Sequence, residues 1–386
     1  MTTTISAYTQ HLESTVAAEE LAVQIRAAIA KPDALIVFLS ARHNHGALLA
    51  ELSRLFPEAV LVGCSSAGEF SSGYQGEGSA SAFAIQSSDM IFTSSLAREI
   101  SSQPAEAART LLSGFRGFTY GRYRYRSALI LNDALAGSAD ELVRMLNMQT
   151  GGKYKFFGGG AGDDAAFSRT FVFRGTEIAT NAAVGLEILS DKPLGVGVRH
   201  GWAPATDAMR VTSSAGTVVA SLDAITTAEV FEDHARSTGQ SLDRSAPIPF
   251  FLHNIAGIRT PQGYKLRVPL QIGADGEVAF AAEIPEGAAV SIMSATAESS
   301  TEAAREASED AVRQLGEHKP AGALMFDCVA TRLRLGKAFG NEVQAVQDAL
   351  GQVPLVGCNT YGQVASAEGQ FTGFHNCTAV VCVFPE

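Results

Sequence analysis

The chain is poor in the features that usually sort a sequence quickly. It has one tryptophan and five cysteines in 386 residues. The cysteines are odd in number and scattered, with no CxxC or other zinc spacing, so neither a disulfide framework nor a structural metal is expected. No apolar run approaches the ~20 residues of a membrane helix, and no membrane insertion is expected. The start, Met1-Thr2-Thr3-Thr4-Ile5, lacks the basic residues and apolar core of a signal peptide. The expected location is therefore cytoplasmic. Positive charge is also scarce, 29 Lys and Arg against 40 Asp and Glu, a net charge of -11. Nucleic-acid phosphates would be repelled by such a surface, which argues against them as partners. Hydrophobic content of 46% with 18% charged residues is ordinary for a globular protein, and the length suggests two or three domains.

Glycine, by contrast, is abundant, and its placement is the most informative feature. Leu61-Val62-Gly63-Cys64-Ser65-Ser66-Ala67-Gly68-Glu69 returns as Leu355-Val356-Gly357-Cys358-Asn359-Thr360-Tyr361-Gly362-Gln363. A looser copy lies between them, Phe156-Phe157-Gly158-Gly159-Gly160-Ala161-Gly162-Asp163-Asp164. Each is preceded by an apolar run (34–40, 128–133, 323–328) and a helical stretch (47–56, 139–148, 341–350). Repetition on this scale sets the fold class. We expect an α/β protein of repeated β-α-β-glycine-turn units in mixed sheets, with two related halves. Further helices are expected over 11–30, 105–113, 227–236 and 298–315. Strands are expected over 79–86, 90–95, 170–174, 183–189, 249–254, 264–270, 278–284, 289–293 and along the tail from Phe374 to Phe384. On the 298–315 helix, Glu302, Glu306, Glu309 and Asp310 read as a solvated face. A boundary near residue 220 divides the chain into 1–220 and 221–386.

The loops hold the candidate chemistry. Two glycines five apart, as in Gly63–Gly68 and Gly357–Gly362, describe a compact turn whose amides suit a carboxylate or phosphate. Nucleotide readings are weak: Glu69 and Gln363 stand where a Walker loop needs lysine, and the run from Gly158 misses GxGxxG. Asp163, Asp164 and Glu69 would form an acidic cluster if the repeats converge, although an Asp after a glycine run more often bonds its own turn amides. Cys64 and Cys358 share a repeat position, which suits buried packing better than a nucleophile. His43 and His45 flank Asn44 on a loop, His200 stands beside Gly201 and Trp202, and His375 opens the terminal strand.

The glycine turns, Gly159 to Asp164, Gly201-Trp202-Ala203-Pro204, Val211-Thr212, Phe326-Asp327-Cys328-Val329 and Phe374-His375-Asn376 together resemble the FIST domain, from about residue 30 to the end. The resemblance implies a FIST N-terminal domain over 1–220 and a FIST C-terminal domain over 221–386, forming a sensory module that binds a small ligand and reports to a partner rather than an enzyme. One stand-alone branch of the family binds haem, senses nitric oxide and modulates a histidine kinase. Similarity to that branch makes haem the expected cofactor, with His200 as iron ligand beside Trp202 and with His43, His45 and His375 in reserve. A second expectation is an amino acid or other polar metabolite. It would be held by the turns (Gly63, Cys64, Gly68, Gly159, Asp163, Asp164, Gly357, Tyr361, Gly362), with Arg332 on a carboxylate. A homodimer is compatible with either. An enzyme using Asp163, Asp164 or Cys64 has least support, because no nucleophile–base pair is visible.

Overall fold

A computed structural model describes residues 1–366 and 372–386. The same unit occurs three times: outer strand, helix, core strand, helix, core strand, glycine turn, hairpin, closing strand. In the first copy these are Thr2–Thr9, Ser14–Arg26, Ala34–Ser40, His45–Leu55, Val60–Ser66, the hairpin Glu69–Ser71/Tyr74–Gly76, and Ala80–Ser87. The second runs from Met90–Arg98 through Pro104–Ser113, Tyr125–Asn132, Ala139–Thr150, Lys155–Gly160 and the hairpin Val172–Arg174/Glu177–Ala179 to Ala182–Ser190. The third begins at Gly195–Arg199 and resumes at Ala297–Arg313. It continues through Pro320–Cys328, Phe339–Leu350, Leu355–Thr360 and the hairpin Gln363–Ala365/Gly373–His375 to Ala379–Pro385. Between its first strand and first helix lies an inserted nine-stranded sheet, from Ala203–Pro204 to Ala289–Ser294, with the helices Thr227–Thr238 and Ile248–Phe251. The third copy thus joins the two halves, since its outer strand precedes the insert and the rest follows it.

Each copy builds a six-stranded mixed sheet around two parallel core strands. The last two strands of every sheet come from another copy. The hairpin after the first glycine turn pairs with the third sheet (Cys358 opposite Glu69). The second hairpin pairs with the first sheet (Cys64 opposite Val172), and the third with the second sheet (Gly159 opposite Gln363). The three sheets face inward on one apolar core that includes Phe38, Phe83, Phe157, Phe326 and Phe384. Two helices cover the outer face of each sheet. Strands buried on both faces read as the unbroken apolar runs that precede each turn.

Glycine is required at one point in each copy. A Cβ on Gly63, Gly158 or Gly357 would lie 2.1, 2.1 or 2.3 Å from the carbonyl oxygen of Val37, Ile130 or Met325 on the neighbouring core strand.

Several expectations need correction. The stretch 249–254 is no strand: Ile248–Phe251 is one helical turn, with Phe250 and Phe251 amides donating to Pro247 O. Prolines need no N–H in a first helical turn, and a four-residue apolar run cannot reveal its period. The strand Thr2–Thr9 shows no apolar alternation, because threonines occupy its inner face; Thr4 Oγ1 donates to Ala321 O at 2.6 Å. Asp310 does not belong to a solvated face. It is 5% exposed and paired with Arg199, which reaches it from the third copy's outer strand.

Gly158 has φ +138° as well as the 2.1 Å approach. Gly158→Ala is therefore expected to cost about 3 kcal/mol or more. Gly121→Ala, with nothing within 4 Å of the added carbon, should stay within about 0.5 kcal/mol. Urea denaturation of the two variants checks the difference.

Candidate ligand cavity beside the glycine turns

The three turns meet, and their amides are consumed by one another. Ala67 N donates to Asn359 O (2.9 Å) and Asn359 N to Gly68 O (2.8 Å). Gly162 N donates to Ser65 O (2.9 Å), and Asp164 N to Ser66 O (3.0 Å). Tyr361 N donates to Gly160 O (3.0 Å), and Gly160 N to Gly362 O (2.8 Å). These donors are closing the fold, so the expected amide cradle for an anion is not formed by them.

The turn acids have separate tasks. The Asp163 carboxylate accepts from the amides of Phe167, Ser168 and Arg169 at 2.9, 2.7 and 2.8 Å, and from the Tyr361 hydroxyl. That is the turn-capping role rather than acid–base chemistry. Asp164 accepts from Ser40 Oγ at 2.6 Å. Glu69 is fully buried and accepts from the hydroxyls of Ser66 and Ser79 and from Ser79 N. Burial raises its pKa from 4.5 to about 7 against the pull of those hydroxyls. Cys64 and Cys358 are buried side by side, and burial with mutual contact raises the Cys358 thiol well above its ordinary value. Arg332 pairs with Glu77 and flanks Gly68.

The histidines are dispersed. His43 and His45 are buried at the end of the first copy's core strand, and burial lowers both pKa values. His45 Nε2 lies 3.0 Å from Ser40 O, with its ring against Phe171 and Phe173. His200 Nε2 is 2.9 Å from Tyr264 O, and its Nδ1 accepts from Trp202 N at 3.3 Å. Trp202 is buried beneath the Arg334 guanidinium, 4.9 Å from the ring centre. His375 is buried in the third hairpin, opposite Gln363. The cavity beside His200 measures about 10 Å³, and both of its ring nitrogens are engaged. This setting does not fit a haem held by His200.

A larger space lies elsewhere. A cavity of about 490 Å³ opens where the insert meets the second and third copies. The insert contributes Ile248, Phe251, Leu252, Val268, Pro269, Leu270 and Ala281. The short helix Val329–Leu335 contributes Val329, Ala330 and Leu333; the turns contribute Phe167, Tyr361 and Gly362; the loop after Asn132 contributes Ala134, Leu135 and Gly137. Cys328 and Asn376 complete the lining. Leu135, Phe167, Ile248, Leu270 and Leu333 are large apolar residues 39–52% exposed, and all border this one opening. Such grouping marks a binding surface more than scattered exposure does.

Of the residues singled out from sequence, Tyr361, Gly362, the Asp163-capped turn and the motif residues Cys328, Val329 and Asn376 reach this cavity; Gly63, Cys64, Gly68, Gly159, Gly357, the histidines and Arg332 do not line it. The insert's lining carries no mark in the sequence, because separate apolar residues in short strands and a single helical turn look like ordinary core. No feature of their spacing distinguishes them.

Three fused copies around one core, with an inserted sheet lining a cavity of about 490 Å³, define the α/β architecture. The FIST N domain matches residues 33–225 and the FIST C domain residues 228–366, so the chain belongs to the FIST family. FIST domains are small-ligand sensory domains of signalling proteins. No curated protein matches the chain. Among solved structures, cyanuric acid hydrolase from A. caulinodans is similar at 10% identity over 99% of both chains, TM-score 0.34. PurLQS from Thermotoga maritima is similar at 11% identity over 100% of this chain and 72% of that one, TM-score 0.23. Among the described residues no helix is long and apolar enough to cross a membrane.

Glu69 links this region to pH. Between pH 4.5 and about 7 the folded chain holds a proton that the unfolded chain has released. The group's contribution is complete below the unfolded value and is lost as pH rises through the folded one. Glu69→Gln copies the residue at the matching position of the third turn, Gln363. Between about pH 5 and about pH 8 the native chain should lose on the order of 3 kcal/mol more stability than this variant. Equal losses in urea titrations would mean that Glu69 is ionised throughout.

Proposed function

We propose that this protein is a signal-input module that binds a small ligand in the 490 Å³ cavity between insert and core and passes the event to a partner protein. One observation carries the reading. The opening gathers walls from the insert, two glycine turns and the third copy, so a bound molecule touches parts that are far apart in sequence. Its role is binding rather than catalysis: Asp163 and Asp164 are occupied with turn and serine contacts, and Cys64 is enclosed in the core.

Haem, with nitric oxide as signal and a histidine kinase as partner, is the narrower reading suggested by the family. The cavity offers it little, since neither an imidazole nor a cationic side chain for the propionates is among the lining residues. Absorption spectra of protein expressed with haem supplementation are expected to lack a stoichiometric Soret band. A band that shifts with nitric oxide would reverse that expectation and turn attention to the histidines.

The binding role itself is tested by filling the space. Ala330 lies on the cavity wall and is 7% exposed. Native mass spectrometry of protein incubated with a small-molecule extract should give an adduct for the native chain and none for Ala330→Trp at an unchanged melting temperature. No adduct on the native chain, or an equal one on the variant, would overturn the proposal.

A further inference from the structure

The chemistry of the walls goes further and specifies a class of ligand; this step rests on the cavity being the ligand site. Among the described residues none of the lining side chains belongs to Asp, Glu, Lys, Arg or His. A carboxylate or ammonium entering the space would lose its hydration with no counter-ion to replace it. The Tyr361 hydroxyl is already committed to Asp163. Asn376 adds no reachable polar handle: it is 3% exposed, and its unpartnered side-chain oxygen is closed off from the cavity.

Two rings stand at the opening. Phe167 stacks on Tyr361 with centroids 4.4 Å apart and planes 13° from parallel. Phe167 is 52% exposed, so burial alone does not hold it there. It is presented by a turn in which Asp164, Ala165 and Phe167 take φ values of +54°, +63° and +50°. Left-handed backbone at a bulky residue is strained and persists only when its surroundings impose it. Here the three amides bound by Asp163 supply the restraint.

We infer that the cavity selects an uncharged, mainly apolar ring compound, that Phe167 and Tyr361 supply the ring face against which it packs, and that free amino acids and other charged metabolites are excluded. Phe167 is then the residue that sets specificity, and the Asp163-capped turn is its mount.

The test uses N-phenyl-1-naphthylamine, a neutral fluorophore that brightens in apolar surroundings. Saturable one-to-one binding to the full chain is expected, displaced by indole and untouched by phenylalanine or leucine at equal concentration. Leu270→Trp, which adds bulk to a half-exposed wall, should weaken binding at least tenfold. Leu333→Asp, which places a charge on another half-exposed wall, should do the same, with circular dichroism and melting temperature checking that both variants fold. Phe167→Ala should shift the ranking of ring compounds more than it lowers affinity for the dye. Equal dye binding by both wall variants would place the dye elsewhere and overturn the inference. Displacement by the amino acids would overturn the stated ligand class and leave the sensor reading standing. Absence of binding by dye and by amino acids, together with no adduct from extract, would end both.

Discussion

Cyclic exchange of hairpins is the constraint on which everything else depends. Each copy sends the two strands after its glycine turn into a neighbour's sheet: first to third, second to first, third to second. No copy can complete its own sheet, so an isolated copy would leave a core strand with an unpaired edge. The crossing requires one segment from each copy to turn away at one place. That meeting explains why turn amides bond to other turns, while Gly63, Gly158 and Gly357 each lie against a carbonyl of the adjacent core strand in their own copy. Because pairing joins segments some 300 residues apart, as in Val356 opposite Ser71, loop closure must precede the contacts that reward it, and slow folding follows.

This arrangement was partly written in the sequence. The core strands announced themselves, because burial on both faces leaves long apolar runs ending at glycine. The repeat itself was visible from Leu61 and Leu355 onward. Exchange was not visible, since the hairpins pair through backbone groups and Glu69 or Gln363 carries no mark of which sheet it enters. The first strand was hidden by inward threonines whose hydroxyls find buried acceptors, a solution that period-two hydrophobicity cannot register. Asp310 looked solvated for a similar reason, its partner Arg199 lying 111 residues earlier on another element.

The candidate site was less legible still. Attention falls on glycines, acids and histidines because those types carry chemistry, and the structure employs several of them in closing the fold. Asp163 is the instructive case. The plain reading, a carboxylate satisfying its own turn, is what its three amide contacts describe. Yet that turn fixes Phe167, and through it the mouth of the cavity.

The insert turns a repeated scaffold into an asymmetric one. Matching positions at the ends of the core strands are Ser40, Asp133 and Cys328, by their register against the following strand. Ser40 donates to Asp164, and Asp133 accepts from the amides of Leu135 and Asn181, so both are tied into polar contacts. Cys328 instead borders the cavity, whose walls include Val268 and Leu270 of the inserted sheet. A ligand alters a protein's state only by binding one arrangement of its parts better than another. A pocket within a single copy would grip one rigid sheet and report little. A pocket walled by insert on one side and by two exchanged turns on the other is sensitive to their relative placement. Under the proposed function, the third copy, the one the insert interrupts, is therefore the part on which occupancy would act.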